Sequence, residues 1–280
     1  MANRATVTYN GATISTEDKD GSFAITYNGS TLATLGAGQS KTLNCSEQPM
    51  KTDIVVGGKT LRCKNLKMHS NVVVSVVSLF PSAPSAYNLI ATYTSSQTWT
   101  APENGYFQIE VFGASGKGGT GRSDSSNNKG IGGGGGGGGG YSCSQGVTLY
   151  KGDTIALTVG GVGATTSAVV NSSHNNSFDH TLQVTSGGNG GNAGSTGTAG
   201  GSGGVASGGK TTNTNGNAGG SGENGSYFLG GAGGAGGAGA NGAPNGGNGE
   251  SIKGLIGGAS AAAAGSGSAG FIKIYRGNTN

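Results

Sequence analysis

Nine consecutive glycines, Gly132 to Gly140, lie between Ile131 and Tyr141 near the middle of the chain, in the stretch Ile-Gly-Gly-Gly-Gly-Gly-Gly-Gly-Gly-Gly-Tyr. Glycine remains abundant after this run and makes up 63 of the 280 residues. Later glycine-rich tracts cover residues 187–191, 200–204, 216–222 and 230–239, the last of which repeats Gly-Gly-Ala with a period of three. Two interpretations compete for such tracts: flexible linkers, or ordered polyglycine II helices with three residues per turn.

The energetics of ordering glycine favour the second interpretation. Fixing nine glycines costs about 10–20 kcal/mol of backbone entropy, because each residue loses roughly 1–2 kcal/mol. Glycine has no side chain to bury, so the compensation must come from backbone hydrogen bonds and Cα–H···O contacts. A single extended tract cannot bond to itself, whereas several tracts packed side by side can bond to one another. Four or more tracts in one chain therefore predict a lattice of polyglycine II helices.

The composition argues against disorder and against two classes of partner. The formal net charge is only +4, whereas disordered chains combine low hydrophobicity with high net charge. Residues 81–280 carry eight Lys and Arg against seven Asp and Glu, so they lack the basic face that binds a phosphate backbone. The longest apolar run, residues 72–80, is too short to span a bilayer. We expect no nucleic-acid partner and no membrane insertion.

The three cysteines, Cys45, Cys63 and Cys143, cannot all pair within one chain. The N terminus also lacks the charged and apolar pattern of a signal peptide. Both features favour synthesis in a reducing cytosol over secretion by the usual route. We expect Cys45 and Cys63, which occupy equivalent positions in two repeats, to be buried structural thiols.

Residues 1–80 contain two tandem duplications with a spacing of eighteen. Residues 7–16 match residues 25–34, and each copy contains Tyr-Asn-Gly between alternating apolar and polar residues, which predicts a β-hairpin. The Lys-Thr-Leu segment at 41–43 and the Val-Val pair at 55–56 recur at 59–61 and 73–74. Short repeats that cannot bury a face alone stack or oligomerise, so we interpret residues 1–80 as small β-modules of a stem or docking unit.

Beyond a linker at residues 81–86, the segment 87–280 shows strand periodicity on both sides of the glycine tracts. Segments 91–94, 97–102, 105–112, 147–150, 154–161 and 271–275 alternate apolar and polar residues, which predicts about six strands. The predicted fold class is all-β: repeated N-terminal β-modules, then a β-sandwich fused to a polyglycine II helix bundle.

An ordered set of motifs resembles a known family. The motifs are Trp99-Thr-Ala-Pro, Gly105-Tyr-Phe-Gln-Ile-Glu-Val-Phe-Gly-Ala-Ser-Gly, the glycine run closed by Tyr141-Ser, and Leu149-Tyr-Lys-Gly-Asp-Thr-Ile-Ala-Leu-Thr-Val-Gly. Together they resemble the glycine-rich domain of phage tail-fibre and other virion proteins, and are similar to that of anaplastic-lymphoma-kinase-type receptors. The resemblance covers roughly residues 90–276 and implies a TNF-like β-sandwich joined to polyglycine II helices. The receptor members carry many cysteines and secretion signals, so this chain is more similar to the virion members.

Polar loops between the glycine tracts are the candidate binding elements. They cover residues 122–129, 172–180, 210–215, 223–228 and 241–248, and they are rich in Asn, Ser, Tyr and Arg, which give adaptable hydrogen bonds with a few aromatic anchors. In a bundle about 28 Å long, at roughly 3.1 Å per residue, alternate connections emerge at the same end and share one tip. The candidate contact residues are Arg122, Asp124, Asn127, Asn128, Asn213, Asn215, Tyr227 and Phe228.

Catalytic and cofactor motifs find little support. His174, Asp179 and His180 lie close together in the sequence, but their spacing matches no metal-ligand set, so a solvated loop is expected. Gly209-Lys210-Thr211 resembles the end of a phosphate-binding loop but follows no predicted strand. We expect no enzyme activity, no metal and no cofactor.

The sequence therefore predicts a phage virion fibre protein, made in the host cytoplasm, that recognises a bacterial surface saccharide or outer-surface protein. Other virion tail or fibre proteins and two further copies of the chain, as a homotrimer, are the expected assembly partners. The alternative is a purely structural fibre or decoration protein without receptor contact. A more distant alternative is an ice-binding protein, because Ala232, Ala235 and Ala238 would line one face of a helix with three residues per turn.

Overall fold

The described secondary structure is β-strand apart from one short 3-10 helix. The computed structural model describes residues 2–9, 12–15, 19–27, 30–44, 53–56, 59–62, 71–78, 84–172, 181–184, 186–188, 199–226, 228–258 and 261–278. These residues contain no α-helix, which confirms the predicted all-β class. The chain divides into two compact units, Met1–Ser82 and Ala83–Thr279, and the boundary falls inside the predicted linker.

The first unit is built from two antiparallel sheets around one core. One sheet has the strand order β2-β1-β9-β6, with β3 also on β1, and the other has the order β5-β4-β7-β8. Apolar residues from both sheets, among them Val7, Phe23, Ile25, Val56 and Val74, form a single buried cluster. The strands are β1 (Ala2–Tyr9), β2 (Ala12–Ser15), β3 (Lys19–Asp20), β4 (Phe23–Tyr27), β5 (Ser30–Leu35), β6 (Ser40–Asn44), β7 (Asp53–Val56), β8 (Lys59–Arg62) and β9 (Asn71–Ser78).

The two sheets of the first unit are equivalent, because each contains one copy of every eighteen-residue repeat. Val7 pairs with Val74 in one sheet, and Ile25 pairs with Val56 in the other. Lys41 and Lys59 lie opposite the same two valines, Val74 and Val56. In the first sheet, the strand with the first Lys-Thr-Leu copy thus pairs with the strand that carries the second Val-Val copy. In the other sheet, the strand with the second Lys-Thr-Leu copy pairs with the strand that carries the first Val-Val copy. Hairpins β1–β2 and β4–β5 confirm both hairpin predictions, although Asn10-Gly11, Asn28-Gly29, Cys45 and Cys63 lie outside the described residues.

The second unit contains the remaining strands and the 3-10 helix, Ala240–Gly242. Its strands are β10 (Tyr87–Tyr93), β11 (Gln97–Thr100), β12 (Gly105–Phe112), β13 (Arg122–Asp124), β14 (Lys129–Ile131), β15 (Tyr141–Leu149), β16 (Thr154–Thr158), β17 (Thr166–Asn171), β18 (Thr181–Val184), β19 (Ala206–Ser207), β20 (Thr212–Thr214), β21 (Leu229–Gly230), β22 (Gly257–Gly258) and β23 (Phe271–Gly277).

Ten of these strands form the predicted β-sandwich, with sheet orders β10-β23-β12-β15-β20 and β11-β16-β17-β18-β19. Strand β12 shows why they form: Phe107, Ile109 and Val111 alternate along the strand and are fully buried in the common core. The Trp99 ring packs edge-on against Phe107, with ring centroids 5.3 Å apart. The predicted count of about six strands was too low. It missed β17 to β20; of these, β19 and β20 have only two and three residues, too few to show a period.

The glycine tracts form the predicted bundle, in which eight segments lie side by side. We name them PG1 (113–119), PG2 (132–140), PG3 (186–188), PG4 (199–204), PG5 (216–223), PG6 (231–240), PG7 (244–250) and PG8 (262–268). PG2 is the centre of the bundle and all of its residues are buried. Six segments surround it, bond to one another in a closed ring in the order PG1, PG3, PG4, PG5, PG6, PG7, and leave PG8 outside between PG7 and PG1.

The hydrogen bonds of PG2 follow a period of three, as expected for three residues per turn. Its amides donate to three neighbours: Gly132, Gly135 and Gly138 to PG5, Gly133, Gly136 and Gly139 to PG7, and Gly137 to PG3. Its carbonyl groups accept from three others: PG1 at Gly134, Gly137 and Gly140, PG4 at Gly135 and Gly138, and PG6 at Gly133, Gly136 and Gly139. These N···O distances lie between 2.7 and 2.9 Å. PG2 therefore makes the backbone hydrogen bonds that are needed to offset the entropy lost when its nine glycines are ordered.

The close approach of the segments explains why PG2 contains only glycine. A Cβ atom added at any position from Gly132 to Gly139 would overlap a backbone carbonyl oxygen of a neighbouring segment, such as that of Ala235 at Gly135 or of Gly116 at Gly136. Backbone oxygens cannot move aside as the end of a flexible side chain can. Any side chain at one of these positions would therefore push PG2 away from at least one neighbouring segment.

The chain directions give the bundle two different ends. PG2 starts beside Glu223 and Glu250 and ends beside β12 and β15 of the sandwich, since Gly113 donates to Gly140. The end of the bundle at Gly132 is therefore remote from the sandwich, and we call it the tip. The described parts of three loops emerge there: residues 120–131, residues 224–226 with 228–230, and residues 251–258 with 261.

Candidate binding surface at the tip of the bundle

The first tip loop is a β-hairpin formed by β13 and β14, in which Arg122 pairs with Ile131 and Asp124 with Lys129. Asp124 organises its turn. Oδ1 accepts a hydrogen bond from the Ser126 amide at 3.0 Å, Oδ2 accepts one from Asn127 Nδ2 at 3.2 Å, and Lys129 Nζ lies 3.9 Å from Oδ2. The bond from Asn127, followed by the bond from the Ser126 backbone, lowers the pKa of the Asp124 carboxyl below its ordinary value. The turn is thus ordered by its own side chains.

Two residues of the tip have a left-handed backbone conformation. Asn128 has φ of 50° in the hairpin, and Phe228 has φ of 64° in the second loop. Asparagine tolerates this region, whereas a bulky aromatic residue rarely adopts it and does so only where its surroundings impose it. Such strain is concentrated at functional sites, which makes the contact region of these two loops a candidate for recognition.

The second loop is bonded to the hairpin along its length. The Gly225 amide donates to Gly130 O at 2.9 Å, and the Phe228 amide donates to Asn127 O at 3.4 Å. An isolated bridge also joins Ile131 to Asn224. Because these bonds connect residues about one hundred positions apart in sequence, the two loops form one continuous surface.

The third loop, described at residues 251–258 and 261, also lies at the tip and was absent from the sequence-based candidates. The Ile252 amide donates to Gly231 O at 3.0 Å, and the Ile256 amide donates to Phe228 O at 3.2 Å. At the base of the hairpin, Glu250 Oε2 accepts from the Gly121 amide at 2.8 Å. Leu255 and Ile256 are highly exposed. An apolar pair within a glycine-rich, polar segment was the signal that could have revealed this loop.

The structure brings five of the predicted contact residues together at the tip and separates two from them. The five are Arg122, Asp124, Asn127, Asn128 and Phe228, whereas Tyr227 lies outside the described residues. Asn213 and Asn215 lie at the sandwich end, in the connection that carries β19 and β20. Asn213 brackets Gly209 with two hydrogen bonds, and Asn215 Oδ1 accepts from the Ala206 amide at 2.8 Å. Their side chains stabilise this turn.

The other predicted loops also lie away from the tip or cannot be placed. Residues 241–244 form the turn between PG6 and PG7 at the sandwich end. The loop 172–180, with His174, Asp179 and His180, lies outside the described residues except for Ser172. Within the described part of the chain, no group of three or more His, Cys, Asp or Glu side chains could hold a metal ion.

A second polar cluster lies on the outer face of the sandwich, around Glu110. Tyr275 and Tyr141 donate their hydroxyl hydrogens to the two carboxylate oxygens at 2.6 and 2.9 Å, and Gln108 Nε2 donates at 3.0 Å. Burial raises the pKa of the neighbouring Cys143 thiol to about 11, which keeps it protonated and unreactive at neutral pH. Because the carboxylate is occupied by its own neighbours, we assign this cluster a structural role.

A family model described as a glycine-rich domain matches residues 91–280, which include the sandwich from the middle of β10 onward and the whole described bundle. No curated protein matches the chain.

Proposed function

This chain belongs to the family of glycine-rich domains, and from that premise and the geometry of the tip we propose that it is a phage virion fibre protein. Its second unit recognises the bacterial surface through the tip, with a surface saccharide or an outer-surface protein as ligand. Its first unit attaches it to other virion tail or fibre proteins. The chain carries out no catalysis and acts as an adhesin on a virion assembled in the host cytoplasm.

One observation carries this proposal: the three described tip loops are held together at one end of a lattice stabilised by backbone bonds. Rigid presentation lowers the entropy lost on binding, so a scaffold that is expensive to order is useful where loops must be preorganised. Because the lattice depends on backbone groups and not on side-chain packing in the loops, the loop sequences can change with little effect on folding. That property suits a surface that must follow changes in its host.

The experiment compares two glycine substitutions that leave the backbone conformation accessible. Asn128→Gly removes an exposed side chain at the tip from a residue whose backbone φ is 50°. Asn241→Gly removes an exposed side chain at the sandwich end from a residue whose φ is 45°. Glycine adopts positive φ readily, so neither substitution strains the backbone. Binding of the labelled full-length protein to a panel of bacterial strains is measured by flow cytometry. We expect binding to at least one strain, a clear loss of that binding for Asn128→Gly, and no change for Asn241→Gly.

A structural fibre or decoration protein is the rival function, and the same experiment separates the two. Under the rival function the chain binds no strain, or the tip variants bind as well as the unmodified chain. Thermal unfolding of each variant identifies any loss of binding that comes from a loss of folding.

A further inference from the structure

Phe228 occupies a position in the second tip loop where the backbone favours glycine or asparagine. The Leu229 amide donates to Ser226 O at 2.8 Å and closes a turn over residues 226–229. Phe228 is the third residue of this turn and has φ of 64°. Turns with positive φ at the third residue prefer Gly or Asn, because a larger side chain is strained in the left-handed conformation. The turn therefore carries a residue that lowers its own stability.

The neighbouring loops fix this conformation from two sides. The Phe228 amide donates to Asn127 O in the hairpin, and Phe228 O accepts from the Ile256 amide in the third loop. A Cβ atom added at Gly254 would overlap Phe228 O, so the third loop packs directly on this carbonyl group. Phe228 cannot relax to negative φ without disturbing the bonds that join the three loops.

The apolar cores do not explain why this residue is aromatic. The Phe228 side chain is partly exposed, and it belongs to none of the three apolar clusters formed by the described residues. Glycine or asparagine would fit the turn without strain. Strained residues persist at functional sites, where the surroundings impose them and the strain accompanies a task. The aromatic ring is therefore the property for which the strained residue is retained.

The side chains exposed around this turn are mostly neutral hydrogen-bonding groups. They are the amides and hydroxyls of Ser125, Ser126, Asn127, Asn128, Asn224 and Ser226. The charges in the described part of the tip balance, with Arg122, Lys129 and Lys253 against Asp124, Glu223 and Glu250. A partly exposed aromatic ring among neutral donors and acceptors suits a neutral saccharide. The ring packs against the C–H groups of a sugar, and amides and hydroxyls bond to its hydroxyl groups.

We propose that the tip holds Phe228 in a strained conformation because its ring is the stacking surface for a neutral saccharide. This inference rests on the proposed adhesin function and deepens it, since it names the class of ligand and the residue that selects it. A ring retained for binding and a ring retained for packing have different signatures. Replacing the first by a residue that fits the turn raises stability and weakens binding, whereas replacing the second lowers stability.

The test compares three variants of the full-length protein by thermal unfolding and by binding to the panel of bacterial strains. Phe228→Asn should unfold at a temperature higher by about 2 °C or more, because asparagine tolerates the left-handed conformation. It should bind the strains at least about tenfold less well, as expected for the loss of an aromatic anchor. Phe228→Ala keeps a Cβ atom and loses the ring, so binding should fall without the rise in unfolding temperature. Phe228→Tyr keeps a ring and should bind more strongly than Phe228→Ala.

The ligand class is tested on cells of a strain that the unmodified chain binds. Periodate, which cleaves the vicinal diols of sugars, should abolish binding, whereas proteinase K should not. Added salt should leave binding unchanged, because a neutral ligand has no charge to screen.

The inference is overturned if Phe228→Asn does not unfold at a higher temperature, or if it binds as well as the unmodified chain. Binding that survives periodate, is lost with proteinase K or weakens with salt also overturns it, and loss with proteinase K assigns the ring to a protein ligand. Any of these results with an intact Asn128→Gly effect on cells leaves the proposed function standing. If the unmodified chain binds no strain, the proposed function fails and this inference fails with it, whatever the unfolding temperatures.

Discussion

At the scale of single residues, the glycines of PG2, like many others in the bundle, are required because neighbouring backbone occupies the space of a side chain. We predict that Gly135→Ala lowers the free energy of unfolding by about 1–3 kcal/mol or more, since its Cβ meets the carbonyl oxygen of Ala235 and overpacking a dense interior is costly. Chemical unfolding monitored by circular dichroism measures this change.

The control for this substitution is Gly161→Ala. Gly161 is exposed, its added Cβ would meet nothing within 4 Å, and its φ lies outside the left-handed region. Its unfolding free energy should change by no more than about 1 kcal/mol, and it can rise because alanine restricts the unfolded chain. Equal effects of the two substitutions would mean that the close packing of PG2 is not what requires glycine.

At the scale of elements, PG6 shows how a polyglycine helix is completed on a side where no further described segment packs against it. One set of its amides bonds to PG2, and the set at Gly233, Gly236 and Gly239 bonds instead to side-chain oxygens of the following segment. Those side chains, Ser251, Asn248 and Asn245, recur every third residue, the same period as the helix. The polar residues between the glycines of PG7 are therefore part of the lattice.

This ladder predicts a local effect for Asn248→Ala. The Gly236 amide, which donates to Asn248 Oδ1 at 2.9 Å, would lose its partner, at a cost of about 0.5–1.5 kcal/mol. Hydrogen exchange of Gly236 should become faster, while Gly237, which donates to Gly136 O at 2.8 Å, should stay protected. Unchanged exchange at Gly236 would show that the side chain is dispensable there.

At the scale of the whole molecule, the sandwich has an edge strand suited to self-association. Strand β10 ends its sheet, carries no charged residue or proline, and exposes Leu89 at 52% and Ile90 at 47%. Natural edge strands that stay unpaired are usually protected by charges or proline. We predict a homotrimer, with a mass three times that of the 26.9 kDa chain in light scattering, and loss of the trimer in Leu89→Lys/Ile90→Lys. A monomer at micromolar concentration contradicts this prediction.

The sequence by itself determined the all-β class and the presence of a glycine lattice. Both depend on local chemistry: a period of two in segments such as 105–112, and nine glycines whose entropy only backbone bonding can offset. The two Tyr-Asn-Gly motifs likewise predicted hairpins β1–β2 and β4–β5 of the first unit. The repeats alone could not reveal that each sheet contains one copy of every repeat. The spacing of repeats along the chain does not specify which distant strands pair.

Only the tertiary structure decided which loops share a surface. Asn128 and Asn213 occur in similar polar loops, yet the directions of the helices that carry them place one at the tip and the other at the sandwich end. Leu255 and Ile256 gave no periodic signal, and their exposure follows from the bonds that hold their loop against Phe228 and Gly231. Loop position depends on hydrogen bonds between segments far apart in the chain, and composition carries no information about those bonds.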